Sequence, residues 1–479
     1  MLRQLTNRVD RGALRPLGVL ALALGLVAGS GPLPARGQEA PDLVMVGARA
    51  RGMGGAYVAV ADGVESIGWN PAGLAAITQP ELTGDMRLHF GSGQINEGIP
   101  VFSGGGVPAP VLDFTDSPQA QFTYYLVGGA APSPFKGWSE TYGLVGAFWY
   151  RRVVDGLAAQ EQLIEFDPGG GFSIPFNRLS ESEGGEDAWT LSLAGRPHSR
   201  VALGVNFNFI TGFVERSDEQ SVAFQGQEFY NVTQAVRYEL NGFSTDLGAT
   251  VQVLPELKVG AVLHPGYDLE QQGGPGSLRV LVLPGSGLAP ADTVVTFQVN
   301  DATSEIPLMY GLGASYVVPY APVTGLLVAA DYQYRPWNEV ERQVDTESGT
   351  VIPENTAYPT HAFHIGGEYT FNRGHDAEVP IRLGFHTTPT QQANVDSLSA
   401  EVGAGGFRDF RGDRVEAHTW AFGIGLHFKT VDFDVAFDTT KYTYTEFLFD
   451  NTPPPGTQLD IIEVEESLHN LYFSSTLRF

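Results

Sequence analysis

The chain has 479 residues, no cysteine, 59 glycines, 11 % aromatic residues and a formal charge of −26. Without cysteine there is no disulfide framework, no thiolate metal site and no acceptor for a lipoprotein anchor. The acidity argues against nucleic acid as a partner, because phosphates would be repelled.

Residues 1–37 have the order of a secretory signal. "MLRQLTNRVDRGALR" carries four arginines, "PLGVLALALGLVAGSG" is an apolar stretch of signal length, and "ARG" closes it. Cleavage is expected after Gly37. The leader holds five arginines and one aspartate, so residues 38–479 bear −30. No run of 18 or more apolar residues follows, which leaves no helical membrane span.

Residues 38–79 neither alternate like a strand nor form a long helix. "RGMGGAYVAVADG" (51–63) is a run of small residues, in which Gly52, Gly54 and Gly55 allow close backbone approach and Asp62–Gly63 makes a stop. In "WNPAGLA" (69–75) Asn70 is a good N-cap and Pro71 suits the first helical position; Ala72, Gly73 and Leu74 follow. This short helix has an apolar side and nothing of its own to bury it against. Lying just before a long series of strands, the segment is expected as a helical and irregular plug inside a barrel formed by residues 80–479.

The strands alternate with period 2. In "TWAFGIGLHF" (419–428) Trp420, Phe422, Ile424, Leu426 and Phe428 share one face, with Thr419, Ala421, Gly423, Gly425 and His427 opposite. "VALGVNFNF" and "LLVAADYQYR" repeat the pattern, and "VDFDVAF" sets Val431, Phe433, Val435 and Phe437 against Asp432 and Asp434. Strands of nine or ten residues at a steep tilt cross a bilayer. Fourteen are expected, near 80–90, 119–131, 138–152, 186–196, 200–215, 234–253, 256–268, 305–318, 322–337, 360–372, 378–388, 415–429, 431–449 and 466–479. Every second connection is short and the others are long (91–118, 153–185, 216–233, 269–304, 338–359, 389–414 and 450–465). Short turns on one rim and long loops on the other mark outer-membrane barrels, whereas a soluble sandwich has no reason to keep that order. In "VRYELNGFSTDLGATVQV" the apolar phase slips at Asn241–Gly242, so a bulge is expected there. The chain ends on "NLYFSSTLRF", with Leu471, Phe473, Leu477 and Phe479 on the outward face. This is similar to the terminal signal read by outer-membrane assembly machinery.

Inward positions are dominated by Gly, Ala, Ser, Thr and Asn, which leave room for either a channel or a plug. No enzyme pattern emerges: His361 and His364 fall on opposite faces of a strand, and no HExxH, G-x-S-x-G or P-loop occurs. Asp432 and Asp434 share a face and read as hydrated lumen wall; a pairing of His427 with Ser474 or Ser475 is not fixed by sequence. Three of the four lysines (Lys136, Lys258, Lys429, Lys441) lie in or beside short turns and read as solvated. No cofactor or metal site is expected. Two loop stretches, 165–177 and 271–290, mix apolar side chains with glycine, and "LRVLVLP" is apolar enough to pack over the barrel mouth or meet an apolar ligand.

"GARARGMGGAYVAVADGVESIGWNPAGLA" resembles the N-terminal signature of the FadL superfamily of outer-membrane proteins over about 30 residues. The resemblance implies a fourteen-stranded barrel with an N-terminal hatch, carrying hydrophobic compounds across the outer membrane of a Gram-negative-type bacterium. It implies passive uptake of long-chain fatty acids or hydrocarbons, with lipid and lipopolysaccharide around a monomer. Met53, Tyr57, Val58, Val60, Ile67, Trp69 and Leu74 are the hatch-side candidates for ligand contact. The wording of "GMGGAYVA" and "WNPAGLA" also resembles the PorV branch, whose members serve protein secretion, and that alternative stays open at this point.

Overall fold

The computed structural model describes residues 46–95, 115–116, 121–134, 141–155, 158–166, 174–224, 227–283, 290–319, 325–346, 349–352, 357–371, 376–387, 393–395, 411–447 and 461–479. The leader and Lys136 lie outside these residues.

Fourteen staves form one antiparallel sheet. They are β1 (Glu81–Ile95), β2 (Gln121–Pro132), β3 (Val145–Asp155), β4 (Ile174–His198), β5 (Val201–Phe224), β6 (Gln227–Gln252) and β7 (Leu257–His264), followed by β8 (Met309–Val317), β9 (Leu326–Arg335), β10 (Thr360–Phe371), β11 (Ala377–Thr387), β12 (Ala417–Phe428), β13 (Val431–Phe447) and β14 (Ile461–Arg478). Each pairs with the next, and β1 pairs with β14 from Glu81↔Arg478 to Ile95↔Val464, so the sheet closes. Closure leaves no open edge in the bilayer, where an unpaired backbone group would find no water.

The alternation read from sequence is the alternation of exposure. On β12, Trp420 is 64 % exposed and Phe422 45 %, while the intervening Thr419 and Ala421 are buried. On the other flank Leu191, Leu203, Phe209, Phe243 and Leu247 make the same outward apolar band. Aromatic pairs rim it: Phe148 stacks on Trp189 at 5.7 Å, Phe209 meets Phe243 at 5.3 Å and Phe385 meets Trp420 at 4.8 Å. Such a band with aromatic girdles suits a lipid surface.

Several intervals expected as loops are strand instead. β4, β5 and β6 run 25, 24 and 26 residues, well beyond the band. Tyr267–Val282 and Ala291–Gln298 form a hairpin in the 269–304 interval, Ala158–Phe166 pairs with β4, and Glu341–Thr346 pairs with Ala302–Ile306. The reason is physical: above the lipid no face of a strand has to be apolar, so the apolar alternation stops while backbone pairing continues. The expected bulge at Asn241–Gly242 is absent. β6 stays in register with β5 through both residues, and the shift lies on the facing strand between Gly273 and Gly276. Leu240 is simply an apolar residue on the inward face, 6 % exposed, and Phe243 one on the outward face.

Candidate functional site

Residues 46–78 fill the barrel from the short-turn side. α1 (Ala48–Gly52) leads into a turn in which Gly54 and Gly55 have φ of 63° and 74°, a left-handed region where a side chain would be strained. Two 3-10 segments follow, Val64–Gly68 and Pro71–Ala76. Asn70 caps the second: its Oδ1 accepts the Ala72 N–H at 3.1 Å, with Pro71 at the first position. The segment stays short and tight because Gly73 follows at the third position and sits against Ala61 O, leaving no room for a Cβ.

The wall receives this segment through glycines. Inward Gly204, Gly248, Gly260, Gly366 and Gly384 lie on β5, β6, β7, β10 and β11. A Cβ at any of them would stand 2.0–2.5 Å from an atom of the plug: Pro71 C, Asn70 Oδ1, Val58 O, Met53 O and Gly54 N respectively. Gly423 on β12 faces Gly52, and a Cβ added to either would stand near 3 Å from the other's Cα. The small inward residues are therefore sockets for plug backbone, and the fit has the density of a protein interior.

Hydrogen bonds fix the register. The N–H groups of Tyr57 and Val58 donate to Asp331 Oδ2 at 2.5 and 2.7 Å. Asn70 Nδ2 donates to Val58 O at 2.9 Å and to Ala249 O at 3.1 Å, and Asn206 Nδ2 donates to Ile67 O at 2.9 Å. Inside the plug, Trp69 Nε1 donates to Val46 O at 2.9 Å and its ring meets Tyr57 edge-on at 5.9 Å. The Ala48 N–H donates to Ser474 Oγ at 2.6 Å, so Ser474 anchors the plug while His427 pairs with Asp434 at 3.0 Å instead.

Charges join plug to wall beneath α1. Arg49 reaches Glu368 at 2.8 and 3.0 Å and Asp62 at 2.6 Å. Arg382, fully buried, links Glu368 at 2.6 Å to Asp434 at 2.5 Å. Arg51 lies 3.6 Å from Asp438 and 4.7 Å from the Tyr472 ring centre. Asp432 is held by Arg478. The two aspartates expected as hydrated wall are thus ion-paired, because two arginines from other strands converge on them. Lys258, expected to be solvated, points its Nζ at Val60 O at 3.3 Å. Burial opposes the Arg49 charge, but the carboxylates of Asp62 and Glu368 outweigh it and hold the guanidinium well above its ordinary value. Burial pushes the Glu65 carboxyl well above the usual range, and Asp85 and Asp434 push the same way against Arg49 and Arg382.

All candidate contact residues sit in this plug. Met53, Val58, Ile67, Trp69 and Leu74 are almost wholly buried between plug and wall. Tyr57 and Val60 also border a cavity of about 570 Å³ at the short-turn rim, and that cavity is lined mainly by charged and polar groups. Above the plug the inward surface is different. Val415, Ala417, Tyr442, Tyr444 and Leu468 form one buried apolar cluster, and Met309 with Trp337 another. Beyond the lipid band Val232, Val236 and Leu240 of β6 share the inward face with Leu278, Val280 and Val282 of the next strand, Val280 directly opposite Val232; Gln234 stands among them opposite Leu278, and on the β5 side the same face carries Gln220 and the Arg216–Asp218 pair. Of the stretch read as "LRVLVLP", residues 278–282 are strand, and Leu278, Val280 and Val282 form an apolar run on this mixed inner face. Sequence reasoning singled out none of Arg49, Arg51, Asn206, Asp331, Glu368 and Arg382 as site residues; for Asp331, Glu368 and Arg382 a lone charge on an otherwise small inward face was the available signal.

No family model and no curated protein matches the chain. Among solved structures it is similar to a FadL homologue of Pseudomonas aeruginosa, with a TM-score of 0.57 at 12 % identity over 91 % of this chain and 99 % of that one. The chain has the FadL-type barrel fold. The toluene transporter TodX of Pseudomonas putida is similar too, with a TM-score of 0.52 at 13 % identity over 91 % and 99 %. At these identities the likeness speaks for architecture, and the FadL-type fold supplies the frame in which the plug, its sockets and the apolar run on the inner face are to be understood.

Proposed function

We propose that the protein is exported by residues 1–37 and works as an outer-membrane channel for hydrophobic small molecules, long-chain fatty acids or hydrocarbons. Residues 38–79 are its hatch. The observation that carries this reading is the run of apolar side chains on the inner face above the lipid band (Val232, Val236, Leu278, Val280 and Val282), together with the buried aromatic and aliphatic clusters over the plug. A water-filled pore lines its lumen with polar groups. An apolar lining instead attracts an alkyl chain, at about 0.8 kcal/mol per buried CH2. The fold shared with a FadL homologue and with TodX agrees with this, and the plug explains how such a barrel stays closed between transits.

Ligand enters along Val232, Leu278 and Val280, and at the plug it meets the surface of Met53, Tyr57, Val58, Val60, Ile67, Trp69 and Leu74 once the sockets loosen. Transit needs no energy source, only a gradient. The barrel sits as a monomer among lipid and lipopolysaccharide, inserted through the terminal signal at Leu471, Phe473, Leu477 and Phe479.

The test is reconstitution of the full chain in liposomes with oleate or hexadecane supplied outside, together with mass spectrometry of small molecules retained by the purified barrel. Faster entry than in empty liposomes, and a retained apolar molecule, support the reading. Unchanged entry of both probes with nothing retained refutes it, and co-purification of large secretion components with an empty lumen would favour the PorV-like alternative.

A further inference from the structure

The cavity at the short-turn rim does not suit an apolar ligand. It lies between the plug and the wall, bordered on one side by Asp62 and Glu65 and on the other by Glu81, Glu256 and Glu378. Eight acidic side chains line it against three arginine or lysine side chains. Even with Arg382, which stands behind Glu368 and Asp434, the acids outnumber the bases two to one.

One group shows this excess directly. Glu81 Oε1 accepts Arg478 Nε at 3.2 Å, but Oε2 has no hydrogen-bond partner although the side chain is only 9 % exposed. A carboxylate oxygen so buried is costly unless something donates to it. The oxygen faces the plug, where the nearest atom to a Cβ built on Gly63 is Glu81 Oε2 at 3.5 Å.

We infer that this cavity is a binding site for an aliphatic oligoamine, whose ammonium groups bridge carboxylates of the plug to carboxylates of the wall. The chemistry selects that class. Among the described residues no three acidic or histidine side chains converge closely enough to hold a metal ion. A single small cation therefore finds no closed ligand set and cannot span the cavity. An oligoamine carries several ammonium groups, the terminal ones with three N–H donors and the internal ones with two, on a flexible stem, and the second contact forms at high effective concentration once the first is made. Val60 and Ile77 offer apolar surface for the methylenes between the charges. The bound chain ties Asp62 to Glu81 and so holds the plug seated. Binding stands on the cavity alone; its effect on passage rests on the uptake reading.

The test uses the purified full chain, titrated with spermidine, with n-butylamine and with NaCl at matched ionic strength, reading the thermal unfolding midpoint. Spermidine is expected to give a saturable rise, with n-butylamine weaker by about tenfold or more because it makes one charge-assisted contact. Glu81→Gln is expected to weaken spermidine about tenfold, the loss of one buried charged partner. Should Glu81→Gln fail to fold, Glu378→Gln at the rim carries the same test. Glu305→Gln, on the distant strand Ala302–Ile306, is expected to leave binding unchanged. Equal shifts from all three solutes, or full spermidine affinity in both Glu81→Gln and Glu378→Gln, overturn the inference. A barrel that binds spermidine yet fails to pass oleate or hexadecane would remove the uptake reading and leave this site standing.

Discussion

Gly366→Ala tests whether wall glycines are what seats the plug. The added methyl would stand 2.1 Å from Met53 O and 2.9 Å from Met53 C. Ordinary contact begins at about 3.4 Å, so the turn carrying Met53 must retreat by about 1.3 Å. Neither partner is a flexible side chain that can swing aside, since both are backbone. Overpacking of this kind costs about 1–3 kcal/mol, which falls on the plug–wall contact rather than on the ladder of β10. It corresponds to roughly a 5- to 150-fold rise in the fraction of unseated plug. The neighbouring Gly367 faces away from the plug, and a Cβ there finds only Leu327 O at 3.6 Å. Gly367→Ala is therefore expected to be neutral or to stabilise by about 0.4–1 kcal/mol through the unfolded chain. Trypsin reads the difference, because Arg49 and Arg51 are its sites within the plug and both are mostly buried while the plug is seated. When opening is fast relative to cleavage, the cutting rate follows the open population. Gly366→Ala is expected to be cut at Arg49 and Arg51 many-fold faster than wild type and Gly367→Ala no faster. Equal rates in the two variants would refute the socket argument.

Three further outcomes follow from the plug contacts. Asn70→Ala removes the cap to Ala72 and strips Val58 O and Ala249 O of a donor; the combined loss is about 2–4 kcal/mol. Asn70→Asp keeps the cap but turns a second acceptor toward those carbonyls, so its unfolding midpoint at neutral pH should be no higher than that of the alanine variant. Arg49→Met leaves Asp62 without its plug partner while Glu368 keeps Arg382; with Arg49 one-fifth exposed and Asp62 nearly half exposed, the loss is about 1–3 kcal/mol, below that of a fully buried pair, and it should appear as faster trypsin cleavage at Arg51. Glu65 has a folded-state pKa raised by burial. Its contribution is therefore fully present below the ordinary glutamate range and is lost as pH rises through the elevated value. Glu65→Gln should match wild type in acid and exceed it in unfolding midpoint as pH rises, and a constant difference across the titration would contradict the assignment.

The barrel was legible because each stave carries its own evidence: Trp420 against Thr419, or Phe209 against Asn208, is a statement about one strand and one lipid face. The strands above the lipid were not, since Arg216 to Phe224 and Gln227 to Thr233, expected as loop, pair without a sustained apolar alternation to announce them. The supposed bulge at Asn241–Gly242 came from the same assumption, that an apolar Leu240 must face lipid. In fact Leu240 faces inward, near the inward cluster of Ala188, Ile210, Tyr267 and Leu269. The socket glycines show a second kind of limit. Gly204, Gly248, Gly366 and Gly384 could be seen to be small and inward, but their role depends on four strands meeting one short segment, and no single strand's pattern records that meeting. The ion pairs are further still from local signal, since Arg49 and Glu368 stand 319 positions apart. A plug is specified jointly by its own backbone and by holes distributed around the wall, so the sequence displays the two halves of the fit separately, and only closure of the barrel from β1 to β14 brings them into register.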